Sequence, residues 1–93
     1  MKTLSFNVYN DPGHGWIKVS KKQLTRFFGE HWRKEFTPFS YERDAYVYLE
    51  EDLDAATLIQ RLKDNQITPS WRHYYNQTRY SRIRNYAPLA PVQ

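Results

Sequence analysis

The stretch from Trp71 to Tyr86, WRHYYNQTRYSRIRNY, concentrates side chains suited to recognition chemistry. It holds Arg72, Arg79, Arg82 and Arg84, the histidine His73, and the aromatics Trp71, Tyr74, Tyr75, Tyr80 and Tyr86, with no Asp, Glu or Lys. All ten acids of the chain lie before Pro69 together with ten of its fourteen Lys and Arg, so those four arginines carry the whole formal charge of +4. Arginine offers planar, paired hydrogen bonds to phosphate or carboxylate, and tyrosine offers a stacking face. A charge-balanced body with one basic, aromatic segment therefore points to an anionic or polar binding partner. The competing reading is an ordinary solvated strand with arginine outside and tyrosine packed inside.

Two further groups could do chemistry. His14 sits in Asn10-Asp11-Pro12-Gly13-His14-Gly15-Trp16, where an exposed imidazole could transfer a proton. The same residues spell a tight turn in which Asp11 bonds its own backbone and the glycines supply positive φ. Glu50, Glu51, Asp52 and Asp54 could hold a hard cation such as Mg²⁺ through carboxylate oxygens. Consecutive acids also suit a helix start, where they meet the positive end of the macrodipole, with Asp52 or Asp54 as N-cap. His14, His31 and His73 have no zinc-like spacing, and the sequence has no phosphate-cradling glycine loop, serine elbow or dinucleotide fingerprint. No nucleophile, base and orienting group are assembled, so we assign no catalytic residue, cofactor or metal.

These groups must be positioned by a small fold. The chain has 93 residues, enough for one domain with a modest core weighted toward aromatics. Leu4, Phe6 and Val8 alternate with Ser5, Asn7 and Tyr9, which predicts a half-buried strand over 3–9. The turn at 10–15 and a return strand over Trp16–Val19 make a hairpin. Ser20 and Gln23 form a capping box for a helix whose apolar face carries Leu24, Phe27, Phe28 and extends toward His31 and Trp32, with Gly29 either ending it at C′ or tolerated inside it. Phe36 to Glu51 reads as a second hairpin with Arg43-Asp44 at the tip, Tyr41 facing Tyr46 and Phe39 facing Tyr48 on one side, and Val47 and Leu49 on the other. Ala55, Leu58, Ile59 and Leu62 define a second helix, ending at Asn65 in the left-handed conformation.

Ile67 to Tyr75 reads as the last strand, followed by a turn at Asn76-Gln77-Thr78 and one further strand over Arg79 to Tyr86. In that alternation Tyr80, Arg82, Arg84 and Tyr86 form an exposed row opposite Ile83, a core anchor. Charge reversal at Arg82 and Arg84 is then expected to remove binding without unfolding the domain. The expected fold is α+β: a small, mainly antiparallel sheet with two helices on one face, in the order ββαββαβ(β). Residues 1–86 form the single domain, and 87–93, with Pro88 and Pro91, are expected to be a disordered tail.

The chain has no cysteine, which excludes a disulfide framework and a thiol nucleophile and fits a reducing compartment. Ser5, Asn7 and Asn10 interrupt the N-terminal apolar pattern, so no signal peptide is expected, and no run approaches a membrane span.

FNVYNDPGHGW-KV, FSY…YVYLEEDLDA and SRIRNY resemble segments of small proteins encoded by bacteriophages, plasmids and other bacterial mobile elements, over most of residues 6–86. GEHWRKEF, from Gly29 to Phe36, departs from that pattern. The resemblance implies a small, cofactor-free protein in the bacterial cytoplasm that binds host machinery, as inhibitors of CRISPR and restriction defences do. It supplies no site residues. The expected activity is non-enzymatic: anti-defence inhibition through an acidic or nucleic-acid-handling surface of a host complex. Arg72, Tyr74, Arg79, Tyr80, Arg82, Arg84 and Tyr86 form the expected contact. The alternatives are direct DNA or RNA binding, and a small hydrolase or nuclease using His14 and the acidic cluster.

Overall fold

A computed structural model describes residues 2–76 and 81–89. Strands β1 (Lys2–Asn10) and β2 (Gly15–Ser20) form the opening hairpin, paired antiparallel with Tyr9 opposite Trp16 and Asn7 opposite Lys18. Helix α1 (Lys21–Phe28) follows directly. Its capping box is complete, with the Gln23 backbone N–H donating to Ser20 Oγ at 2.9 Å and the Ser20 N–H donating to Gln23 Oε1 at 3.1 Å. Gly29 ends it at φ 87°, a conformation that L side chains rarely adopt. The chain then makes a short 3-10 helix at Trp32–Glu35, which buries Trp32 and leaves His31 exposed.

Strands β3 (Tyr41–Arg43) and β4 (Tyr46–Glu50) make the second hairpin, with its tip one residue later than expected and its pairing shifted by two. Asp44 and Ala45 form the tip, Asp44 takes φ 54°, and Tyr41 pairs with Tyr48 rather than Tyr46. A two-residue turn needs positive φ, which aspartate tolerates better than most residues. Phe39 lies outside the strand and is exposed. Helix α2 (Asp54–Asp64) leads to β5 (Ile67–Tyr75). The left-handed residue after α2 is Gln66, at φ 58°, not Asn65.

The sheet order is β5-β1-β2-β4-β3-β6, where β6 is Ala87–Pro88. β5 runs parallel to β1, and the other pairings are antiparallel. The fold is thus α+β with a mixed, mainly antiparallel sheet. Phe6, Val8, Ile17, Val19, Val47 and Leu49 project from one face into the main core with Leu24 and Phe27 of α1 and Ala55, Leu58 and Leu62 of α2. Among the described residues no helix is long and apolar enough to cross a membrane.

The C-terminal segment departs most from expectation. Arg82–Asn85 is a 3-10 helix rather than a strand, and it packs over the helix-free face of the sheet. The further strand is β6, which pairs with β3. The start of the expected tail is therefore structured: Leu89 is buried in the main core, and its N–H donates to the Ser40 carbonyl. Gln77 and Thr78 of the expected turn, and residues 90–93 of the tail, lie outside the described residues.

Candidate functional site

Alternation along the paired strands sorts the sheet's side chains into two sets. Away from the helices point Ser5, Asn7 and Tyr9 of β1, Trp16 and Lys18 of β2, Tyr41 and Arg43 of β3, Tyr46, Tyr48 and Glu50 of β4, and Ser70, Arg72 and Tyr74 of β5. Glu50 is the one acid among them, and it is buried. The face is thus basic and aromatic, and three regions divide it.

The first region is the β5 side. Arg72 lies beside Asn7, and Tyr74 beside Tyr9, in the parallel register. The Tyr9 and Tyr74 rings stack with centroids 5.3 Å apart and planes at 16°. Tyr74 and Arg72 are exposed, as is Tyr46, whose ring holds the Lys18 ammonium at 4.1 Å. Arg82, also exposed, reaches this side and lines a shallow groove with Tyr9 and Tyr74.

The second region is the centre, where Trp16, Tyr48 and Ile83 form a small buried cluster flanked by Tyr9, Tyr41 and Tyr86. Ile83 is 3 % exposed, which fits its expected role as anchor. Arg84 and Tyr86 are not part of an exposed row. The Arg84 guanidinium grips Asp11 with Nε to Oδ2 at 2.7 Å and Nη2 to Oδ1 at 2.9 Å. Tyr86 packs on Tyr48 at 5.1 Å between centroids and lies under Arg43. The physical reason is the 3-10 geometry: a three-residue turn does not alternate sides, so Arg84 swings inward toward the buried carboxylate.

Asp11 organises this region. Its side chain is fully buried, and besides Arg84 it accepts the N–H groups of Gly13, His14 and Ser81. The Arg84 hydrogen bonds hold its carboxyl well below the usual carboxylate range. Burial opposes that shift, and the three backbone donors reinforce it. The β1–β2 turn is closed by Asp11, as expected, but without left-handed glycines: among the described glycines only Gly29 has positive φ.

The third region is an open cleft of about 320 Å³ beyond Trp16, walled by Trp16, Tyr41, Phe39 and Leu53 and lined by His14, Glu50, Asp52 and Arg84. Sequence reading joined His14 and the acids only in the hydrolase alternative, with no spacing to link them, and folding brings His14, Glu50 and Asp52 together. One ligand atom each from His14, Glu50 and Asp52 lies within 4.8 Å of the others. Pairing of Trp16 with Glu50 places the carboxylate beside the turn that carries His14. The signal that could have linked them was hairpin adjacency: β4 must run beside β2 for the tyrosine face to form, and that sets the end of β4 against the β1–β2 turn.

Neither Asp52 nor Asp54 caps α2. The N-cap position is Leu53, without a side-chain cap. Glu50 instead holds the turn that leads into α2, accepting the N–H groups of Asp52 at 2.7 Å and Leu53 at 3.2 Å. Asp54, already helical and 1 % exposed, instead binds the segment before β3 through Thr37 and Ser40.

Of the expected contact residues, the structure places Arg72, Tyr74 and Arg82 on one exposed side and turns Arg84 and Tyr86 to structural duty. Arg79 and Tyr80 lie outside the described residues. No family model, curated protein or solved structure matches the chain.

Proposed function

We propose that this chain is a non-enzymatic binding protein that occupies an acidic or nucleic-acid-handling surface of a bacterial host complex, as an anti-defence inhibitor carried by a mobile element would. The observation that carries the reading is the β5 side of the helix-free face. There Arg72 and Arg82 lie beside the Tyr9–Tyr74 stack, and Lys18 on β2 with Tyr46 on β4 continues the basic, aromatic surface across the sheet, with no exposed acid among the strand residues of that face. Exposed tyrosine and arginine are the residue types that dominate binding energy at interfaces, and an acid-free surround favours a negative partner. The resemblance to mobile-element proteins supports a host complex as the target. The stacked Tyr9–Tyr74 pair beside Arg72 favours a second reading, in which single-stranded nucleic acid is bound directly, bases on the rings and phosphates on the cations.

The test is a double substitution on β5, Arg72→Glu with Tyr74→Ala. Both residues are exposed, so the melting temperature should stay within a few degrees. Capture of the host complex from nuclease-treated lysate should weaken by about thirtyfold or more, corresponding to about 2 kcal/mol of hot-spot contact. If the ligand is bare single-stranded nucleic acid and the three cations meet phosphates, log K should fall with log salt at a slope of about −2, and nuclease should abolish capture. A folded double variant with wild-type binding would remove β5 from the contact.

A further inference from the structure

We infer that the cleft beside Trp16 is a binding site for one divalent transition-metal cation, Zn²⁺ before Mn²⁺, held by His14, Glu50 and Asp52. The site is separate from the β5 contact and does not depend on it.

Two observations point to a cation. The first is Glu50. It is 8 % exposed, makes no ion pair among the described residues, and is opposed only by the N–H groups of Asp52 and Leu53. A buried carboxylate ordinarily needs a matching charge or a full set of donors. Asp54 meets that need with the Thr37 backbone and hydroxyl and the Ser40 hydroxyl. Glu50 has two donors, and its carboxylate lines an open cleft.

The second observation is the imidazole. The start of α2 has no use for a histidine, yet His14 comes across from the β1–β2 turn, with a ring nitrogen within 4.8 Å of oxygens from both Glu50 and Asp52. Its Nδ1 also lies 3.8 Å from Glu51 Oε1, a third carboxylate oxygen at the rim of the site. The turn that presents His14 is fixed from behind, because its N–H donates to the buried Asp11 carboxylate. Arg84, which also lines the cleft, is gripped by Asp11, and neither Glu50 nor Asp52 makes an ion pair with it among the described residues.

The donor set selects among cations. Two carboxylates alone would suit Mg²⁺ or Ca²⁺, but an imidazole nitrogen shifts preference toward first-row transition ions, Zn²⁺ ahead of Mn²⁺. His14 and Asp52 are exposed and free to close the short remaining distance, whereas Glu50 is fixed by its two backbone bonds. Three protein ligands leave coordination positions open toward the aromatic walls, where water or a small anionic group can enter.

The experiment uses the full-length, untagged, EDTA-treated protein and titrates ZnCl₂ and MnCl₂, with MgCl₂ for comparison, followed by calorimetry and by the melting temperature. One equivalent of Zn²⁺ or Mn²⁺ should bind, tighter than Mg²⁺, and should raise the melting temperature in proportion to the logarithm of its excess. His14→Ala and Asp52→Asn alter exposed side chains and should leave the metal-free melting temperature unchanged. Each should weaken binding by at least about tenfold. His31→Ala and His73→Ala should bind as the parent does. Absence of saturable Zn²⁺ or Mn²⁺ binding at millimolar concentration, or affinity unchanged in His14→Ala, overturns the proposal.

Discussion

Replacing Asp54 with alanine is expected to destabilise the domain by about 3 kcal/mol, a fall in melting temperature of about 12–24 °C for a chain of this size. The carboxylate is almost fully buried and accepts the Thr37 N–H at 3.0 and 3.1 Å, the Thr37 hydroxyl at 2.8 Å and the Ser40 hydroxyl. Ser40 is itself buried: its hydroxyl oxygen accepts the Glu50 N–H at 2.9 Å, and its carbonyl accepts the Leu89 N–H at 2.8 Å. One side chain therefore ties the start of α2 to the β3 entry, the end of β4 and the C-terminal segment. Alanine leaves the buried Ser40 hydroxyl and the half-buried Thr37 N–H and hydroxyl without their shared acceptor. Asparagine keeps the shape and one carbonyl oxygen and should recover part of the loss. Thermal unfolding of the two variants checks the ranking. An Asp54→Ala variant within a degree or two of the parent would show that Thr37 and Ser40 find other partners.

The contrast between Asp54 and Asp52 shows where sequence reading stops. Acids before an apolar helical stripe announce a helix start, and α2 begins there. Which acid turns inward depends on what lies above the helix, and the Thr37–Ser40 segment is brought there only by the second hairpin. Elements with local causes were legible: the period-two pattern of β1, the Ser20/Gln23 box and the stripe of α2 except Ile59, which is exposed. The parallel placement of β5 against β1 was not, because nothing within Ile67–Tyr75 names its neighbour. The candidate contact divided on the same ground. Arg72 and Tyr74 sit on a true strand, so alternation placed them correctly. Arg84 sits in a 3-10 turn whose direction is decided by Asp11, far away in sequence, and no local pattern shows that a loop aspartate is buried.

That pairing makes Arg84 the position where charge reversal should do the opposite of what the sequence suggests. Arg84→Glu is expected to unfold the protein or lower its stability by about 3–5 kcal/mol, because it removes the partner of a fully buried carboxylate and adds a like charge beside it. Arg84→Gln should cost about 3 kcal/mol by the same reasoning, without the repulsion. Arg82→Glu, at an exposed position, should stay within about 0.5 kcal/mol of the parent, so the two neighbours separate binding from stability. The pair should also show in the pH dependence. Asp11's folded carboxyl titrates below its unfolded value, chiefly through the Arg84 hydrogen bonds. Its stabilisation is therefore fully present above the unfolded titration near about pH 4 and is lost as pH falls from there toward the folded value. Urea midpoints measured from pH 6 down to pH 2 should fall for the parent. They should fall less steeply for Asp11→Asn, which starts lower but has no such proton to take up. If Asp11→Asn shows the parent's full acid slope, other carboxylates govern the acid response. If Arg84→Glu keeps the parent's melting temperature, the guanidinium does not hold the C-terminal segment to the sheet, and Ile83, Tyr86, the β3–β6 pairing and Leu89 keep that segment in place without it.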